Sequence, residues 1–261
     1  MTELIKSVEN LAVQAGEMVL PFFATVDPEI KADGSWLTEA DTKVHDQLTQ
    51  MLPKIIDLPV LSEELNTQQQ QYIIDNSEAG YWCIDPLDGT SNFTKGIPYW
   101  CVSIALIQNG IITLGVVYDP NRRECFAAQD ERPSTINGVE IVTTETTALA
   151  DAMALIDLKR ISSKVAIELV TNGPYRSQRS FGASALDICW IAADRCQIYL
   201  HGKQRLWDYA AATKILMNAS GEIETFEGQD LFQNDLGEKQ IIAGSSSKIM
   251  NLWREYYDQI K

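Results

Sequence analysis

Positive charge is scarce in this chain: 21 Lys and Arg stand against 36 Asp and Glu, a formal net charge of −15 over 261 residues. That balance excludes a nucleic-acid or anionic-membrane surface as the expected role, because both reward clustered Lys and Arg. It does not exclude an anionic substrate, since bound cations reverse the local sign. Cysteine is thin and unpaired in pattern. Cys83, Cys101, Cys125, Cys189 and Cys196 are scattered with no Cys-x-x-Cys step. An odd count without a framework fits buried thiols in a reducing compartment. No apolar run is long enough for a membrane span. The opening Met1-Thr2-Glu3-Leu4-Ile5-Lys6 lacks the basic-then-apolar pattern of a signal peptide, so a cytoplasmic protein is expected. No internal repeat is visible, and the only low-complexity stretch, Gln68 to Gln71, reads as a surface turn.

With 45% of residues hydrophobic and 22% charged, the chain can bury a large core in one domain or two close lobes. Leu4, Val8, Leu11, Ala12, Ala15, Val19 and Phe22 recur at helical spacing and predict an amphipathic first helix ending near Pro21 to Ala24. Lys31 to Ser35 reads as a loop. A second helix opens at Thr38-Glu39-Ala40-Asp41, with Thr38 and Asp41 at capping-box spacing. Leu58 to Leu61 reads as a short strand ending at Ser62-Glu63-Glu64. Paired strands about Asn109-Gly110, and another over Glu124 to Ala128, make the first lobe a largely antiparallel sheet with two helices. Strand and helix patterns alternate thereafter, through Ala152 to Ile156, Ser162 to Thr171, Ser180 to Ala192, Gln197 to Leu200, a helix from Trp207 to Ala219, and a closing strand and helix from Ile241. We place the boundary between an N-terminal lobe (1–140) and a C-terminal lobe (141–261) in the stretch from 130 to 150.

The densest chemistry lies in Ile84-Asp85-Pro86-Leu87-Asp88-Gly89-Thr90-Ser91-Asn92-Phe93, after the apolar run from Tyr81. Two acids crowded at a strand end repel each other and call for a counter-charge, most simply a divalent cation. The Gly89 and Thr90 amides, at a helix start, are unpaired donors suited to a phosphate. A calcium loop fails, because its third and twelfth positions would be Leu87 and Gly96. An aspartyl-nucleophile phosphatase fails because the nucleophile position is Pro86. An ordinary turn with solvated acids explains Asp-x-x-Asp alone, but not the ten-residue string.

That string resembles the signature of the inositol monophosphatase family, the lithium-sensitive, magnesium-dependent phosphatases. The resemblance extends in order from Thr38 through Ser62-Glu63-Glu64, the signature, Gly182-Ala183-Ser184 and Trp207-Asp208-Tyr209-Ala210-Ala211 to Gly244. It implies an α+β fold, the layered αβαβα sandwich shared with fructose-1,6-bisphosphatase. It also implies two or three Mg²⁺ ions (Mn²⁺ is possible) held by Glu63, Asp85, the Leu87 carbonyl, Asp88 and Asp208. The oxygen-only donor set suits these hard cations rather than Zn²⁺. Asp41, Thr90 and Glu63 are the implied catalytic residues. Gly89, Thr90, Gly182, Ala183, Ser184, His201 and Asp208 are the implied substrate contacts, with Glu64 behind Glu63. Each has a plainer reading: helix capping for Asp41 and Asp208, solvated surface charge for Glu63-Glu64, tight helix packing for Gly182 to Ser184.

The implied activity is hydrolysis of a small phosphate monoester, an inositol or sugar phosphate, by a homodimer. The alternatives are a 3′(2′),5′-bisphosphate nucleotidase or a catalytically silent metal- and phosphate-binding protein. One departure bears on substrate. Seven residues before the Trp-Asp acid, the inositol-type enzymes carry a Glu that contacts substrate hydroxyls, and here His201 stands there. A carboxylate accepts two hydroxyl bonds, whereas a neutral imidazole accepts one. With Lys203 and Arg205 nearby, a more acidic substrate or a second phosphate is expected. Ser91-Asn92-Phe93, in contrast, resembles the inositol and sugar-phosphate branch rather than the nucleotide branch.

Overall fold

The computed structural model describes residues 3–31, 34 and 36–261. The expected loop at Lys31 to Ser35 therefore lies partly outside the described residues, at Ala32, Asp33 and Ser35. Among the described residues the chain runs α1 (Glu3–Val19), a hairpin of β1 (Glu29–Ile30) and β2 (Trp36–Leu37), α2 (Glu39–Ile55), β3 (Val60–Ser62), α3 (Thr67–Asn76), β4 (Tyr81–Asp88) and α4 (Thr90–Lys95). Then follow β5 (Cys101–Gln108), β6 (Ile111–Asp119), β7 (Glu124–Gln129), β8 (Thr135–Ile136), β9 (Val139–Glu140) and β10 (Met153–Ile156). The chain continues with α5 (Ser163–Asn172), β11 (Ser177–Arg179), α6 (Ser184–Ala192), β12 (Ile198–Gln204), α7 (Leu206–Asn218), β13 (Glu222–Thr225), β14 (Lys239–Gly244) and α8 (Ser247–Ile260).

Two sheets organise these elements. The first has seven strands in the order β3-β4-β5-β6-β7-β8-β9, parallel only between β3 and β4. The second has five, in the order β11-β10-β12-β14-β13, with β11, β10 and β12 parallel and β14 antiparallel to its neighbours. Strand periodicity sorts the side chains. Trp82 and Ile84 of β4 point into a core with α1 and α2, while Tyr81 and Cys83 point into the opposite core with α6 and α7. A third core, including Ile156, Ile198, Leu200, Val165 and Trp253, joins the far face of the second sheet to α5 and α8. Three apolar cores hold five layers together, the middle core packing α6 and α7 between the two sheets, in the αβαβα sandwich expected. Both faces of each sheet are covered, which is why β4, β5 and much of β6 read as continuous apolar runs rather than alternating ones. All five cysteines are buried and free.

The stretch Gln68 to Gln71 is not a turn but lies in α3. Asn66 caps that helix by accepting from the Gln69 amide (3.0 Å), and the Gln69 side chain accepts in return from the Asn66 amide (3.1 Å). The reciprocal cap offsets the helix-end cost that makes a polar tract look like a turn.

Helix α7 packs between the sheets, against β4, β5 and β6 on one side and β13 on the other. Its approach to β6 requires Gly115, where a Cβ would stand 2.2 Å from the Ala211 carbonyl oxygen. A backbone carbonyl in a packed helix cannot yield that distance. Gly115→Ala is expected to cost about 2–3 kcal/mol by overpacking, lowering the melting temperature by about 5–10 °C in a chain of this size. An unchanged calorimetric transition would contradict this close seat for α7.

Candidate active site

The acids meet where strands end. Because β3 and β4 are parallel with Ser62 opposite Ile84, Glu63 follows β3 where Asp85 continues β4, and the Glu63 amide donates to the Ile84 carbonyl at 3.3 Å. Residues three apart on a regular strand face opposite ways. Between Asp85 and Asp88, however, the β4–β5 register slips, Asp85 opposing Ser103 and Asp88 opposing Cys101. That bulge re-aims the strand and tolerates Pro86, which has no N–H to give. Asp85 and Asp88 can thus serve one site. Asp208 arrives separately, in the first turn of α7, where its carboxylate accepts from the Arg205 amide at 2.7 Å. Asp41 comes from the first turn of α2 and does two things at once. One oxygen accepts from the Thr38 amide at 2.8 Å as a capping acid, and the other accepts from the Thr90 hydroxyl at 3.1 Å. The capping and functional readings are therefore compatible. The Thr90 hydroxyl also lies 3.0 Å from the Leu87 carbonyl oxygen, and the Leu87 amide donates to Asp85 at 3.0 Å.

Crowding shows in the acid strengths. Burial, then the charges of Glu63, Asp88, Asp208 and Asp41, push Asp85 well above the usual carboxylate range. Burial and the Asp88 charge do the same to Asp208. Asp88 is pushed up by burial to about 7, held back by amide hydrogen bonds from Ala185 and Ser184; the Ala185 bond is 2.7 Å. Asp41 is raised by burial against the bonds from Thr38 and Thr90. Glu64 is raised by burial to about 7, against its bond from Lys31. Lys31, for which no sequence signal exists, bridges Glu63 (3.1 Å) and Glu64 (2.8 Å) from the loop before α2. Burial opposes its charge, but the two glutamates outweigh it and hold Lys31 protonated above its ordinary value.

Among the described residues, no three His, Cys, Asp or Glu side chains already form a cation cage. Their oxygens are instead engaged by the protein donors just named. The donor set nevertheless fits hard divalent cations: every candidate ligand is oxygen, Asp85 and Asp88 are buried, and the charges acting on Asp85 are those of four other carboxylates.

The substrate-side candidates also converge. Gly89 has φ +95° and begins α4; a Cβ there would press on the Tyr99 carbonyl (3.1 Å) and the Ala183 Cβ (3.2 Å), so both backbone conformation and space require glycine. Gly182 (φ +87°) stands over the Asn92 side chain, whose amide donates to the Tyr99 and Phe181 carbonyls at 2.8 and 2.7 Å. Asn92 thereby ties the signature to the Gly182-Ala183-Ser184 step, a link invisible in sequence. His201 is buried in β12, with Nδ1 accepting from the Lys203 amide at 3.3 Å and Nε2 facing Asp157 at 3.4 Å. Lys203 and Arg205 both pair with Glu238, at 3.1 and 2.9 Å.

The chain is similar to several known proteins. An inositol monophosphatase from Mesembryanthemum crystallinum is 29% identical over 239 residues, 88% of each chain. A Nus factor SuhB from Xylella fastidiosa is 33% identical over 201 residues, 71% of this chain and 73% of that one. The Thermotoga maritima IMPase structure superposes with a TM-score of 0.87 at 22% identity, covering 99% of this chain and 98% of that one, which speaks to the fold. The model of the inositol monophosphatase family matches residues 1–260, and the chain belongs to that family.

Proposed function

We propose that the protein is a Mg²⁺-dependent phosphatase that hydrolyses a small phosphate monoester, an inositol or sugar phosphate. The observation that carries the reading is the Asp41–Thr90–Leu87 arrangement beside the buried acids. Glu63, Asp85, the Leu87 carbonyl, Asp88 and Asp208 would hold two or three Mg²⁺ ions, with Mn²⁺ a substitute. When bound, such ions lower the pKa of water and neutralise phosphoryl charge. Thr90, held between Asp41 and the Leu87 carbonyl, orients the attacking water, and Asp41 takes its proton, a task suited to a carboxylate raised by burial. The Gly89 and Thr90 amides receive phosphate oxygens, and Gly182, Ala183 and Ser184 border the alcohol moiety.

Phosphate release is measured with Mg²⁺, with and without Li⁺, on inositol 1-phosphate, fructose 1,6-bisphosphate, histidinol phosphate and adenosine 3′,5′-bisphosphate. Mg²⁺-dependent release, greatest from a monophosphate, is expected. Metal binding with no release from any ester assigns a binding role instead. Thr90→Val tests the assignment of the proton path. It keeps the shape, removes the hydroxyl, and is expected to lower kcat about a hundredfold in a protein that still unfolds in one cooperative transition; full activity would remove Thr90 from the mechanism. The five free, buried thiols support a cytoplasmic location, and among the described residues no helix is long and apolar enough to cross a membrane. Family membership supports a homodimer, which sedimentation equilibrium would test.

A further inference from the structure

Helix α6 starts in the interior with nothing of its own to cap it. Its N-cap residue is Ala183, which has the extended backbone of a capping residue but no side-chain acceptor. Ala183, Ala185 and Leu186 are fully buried, so the first amides of α6 must find acceptors within the protein. The acceptor comes from a distant segment. Asp88 Oδ2 accepts from the Ala185 amide at 2.7 Å, and the Ser184 amide adds to the hold on the same carboxylate. Ala185 is the second residue of the helix, one of the two that an N-cap side chain serves. Asp88 thus supplies from 97 residues away what a serine or aspartate at position 183 would supply locally.

Two further bonds fasten the same stretch to the same segment. Asn92 donates to the Phe181 carbonyl at 2.7 Å, and the Tyr99 hydroxyl donates to the buried Asp187 at 2.8 Å. Residues 181–187 are therefore docked on residues 88–99 at three points, with the Gly182-Ala183-Ser184 step suspended between the Asn92 and Asp88 ties. Of the three partners, Asp88 alone is also a candidate cation ligand. The Cys101 thiol, opposite Asp88 in the β4–β5 register, donates to the same Oδ2 at 3.8 Å. A carboxylate already held at one oxygen has less freedom to lose when its other oxygen is bound. Helix and cation therefore favour each other, and the coupling is reciprocal.

We propose that Asp88 is the N-cap of α6 as well as a cation ligand, so that a cation on its second oxygen fixes the start of α6 and with it the Gly182-Ala183-Ser184 step. Cation occupancy then prepares the border on which the alcohol moiety lies, and Cys101 is a positioning residue that acts through Asp88. The inference rests on the cation placement of the phosphatase reading and adds to it a coupling between that site and a helix.

Hydrogen–deuterium exchange over residues 184–187, calorimetric binding of Mg²⁺ and melting temperature are measured in wild type, Asp88→Asn, Asp88→Ala, and Asp88→Ala with Ala183→Ser. In wild type, Mg²⁺ is expected to slow exchange of the Ser184 and Ala185 amides about tenfold. Both Asp88 variants lose the charge, but only asparagine keeps a capping oxygen. Without metal, Asp88→Asn is expected to exchange this stretch within about twofold of the wild-type rate, and Asp88→Ala about tenfold faster. Asp88→Ala is also expected to melt about 2–4 °C below Asp88→Asn. Neither variant is expected to show slowing by Mg²⁺ at this stretch. Ala183→Ser puts a hydroxyl at the N-cap and is expected to restore slow exchange in the Asp88→Ala background. Absence of that rescue would make lost packing the cause and overturn the inference. If Asp88→Ala fails to fold, wild type and Asp88→Asn decide alone. Wild-type exchange that bound Mg²⁺ changes by less than about twofold, or Asp88→Ala exchange equal to wild type, also overturns the inference and leaves the phosphatase reading standing. Wild type that binds no Mg²⁺ overturns the cation placement, and the inference with it.

Discussion

Asp85→Asn is expected to reduce Mg²⁺-dependent phosphate release about a thousandfold or more, while raising the melting temperature of the metal-free protein. The two effects share one cause. Asp85 is almost wholly buried and carries the repulsion of four other carboxylates. Among the described residues its oxygens accept a hydrogen bond only from the Leu87 amide, at 3.0 Å. An asparagine oxygen can keep that bond, since the amide is nearly isosteric, and the substitution removes a buried charge that the metal-free fold must otherwise neutralise by protonation. The same charge would help to hold divalent cations at this site, so its loss is expected to remove most of the activity. Activity assays and calorimetry in EDTA on one preparation check both arms. Retention of more than about a tenth of the activity would sink the assignment of Asp85 to the cation site. A fall in the metal-free melting temperature would sink the account of the crowding.

The second large effect is on pH dependence. Without metal, stability is expected to decrease as pH rises from about 5 to about 8. In the unfolded chain carboxylates titrate near 4, whereas in the folded chain Asp88 and Glu64 hold their protons to about 7, and Asp85, Asp208 and Asp41 are also raised. Between those values the native state binds more protons than the unfolded one, so the slope of stability against pH is negative. The stabilisation is fully present below about pH 4 and is lost as the folded groups ionise near 7. Asp157, whose pKa is lowered, acts in the opposite sense but only in the acid range below its ordinary value. Mg²⁺ is expected to reverse the trend, because its ligands must be ionised. At a hundred to a thousand times its dissociation constant it would add about 3–4 kcal/mol, with a larger rise in melting temperature at pH 8 than at pH 6. A Mg²⁺ shift independent of pH would show that the raised acids are not its ligands.

The candidate site was legible largely in local strings. Thr38 and Asp41 share one helix start, Asp85 to Thr90 one strand end, and Trp207-Asp208 another helix start. Local spacing constrains local backbone, which is why these residues, the amphipathic α1 and α2, and the turn at Asn109-Gly110 could be read in order along the chain. The polar tract in α3 misled because its reciprocal cap depends on side-chain geometry that composition does not encode.

What only the tertiary structure decided is the set of contacts made across long separations. The slip in register that turns Asp85 and Asp88 to one site depends on β5. Lys31 reaches Glu63 and Glu64 over more than thirty residues, and Asn92 reaches the Phe181 carbonyl over eighty-nine. His201 faces Asp157, and Lys203 and Arg205 pair with Glu238. A side chain's hydrogen-bonding capacity is a property of its type, but whether any of it remains for a substrate depends on which partners the fold has already placed beside it. The sequence by itself determined which chemical groups this protein owns; packing decided which of them are still free to act.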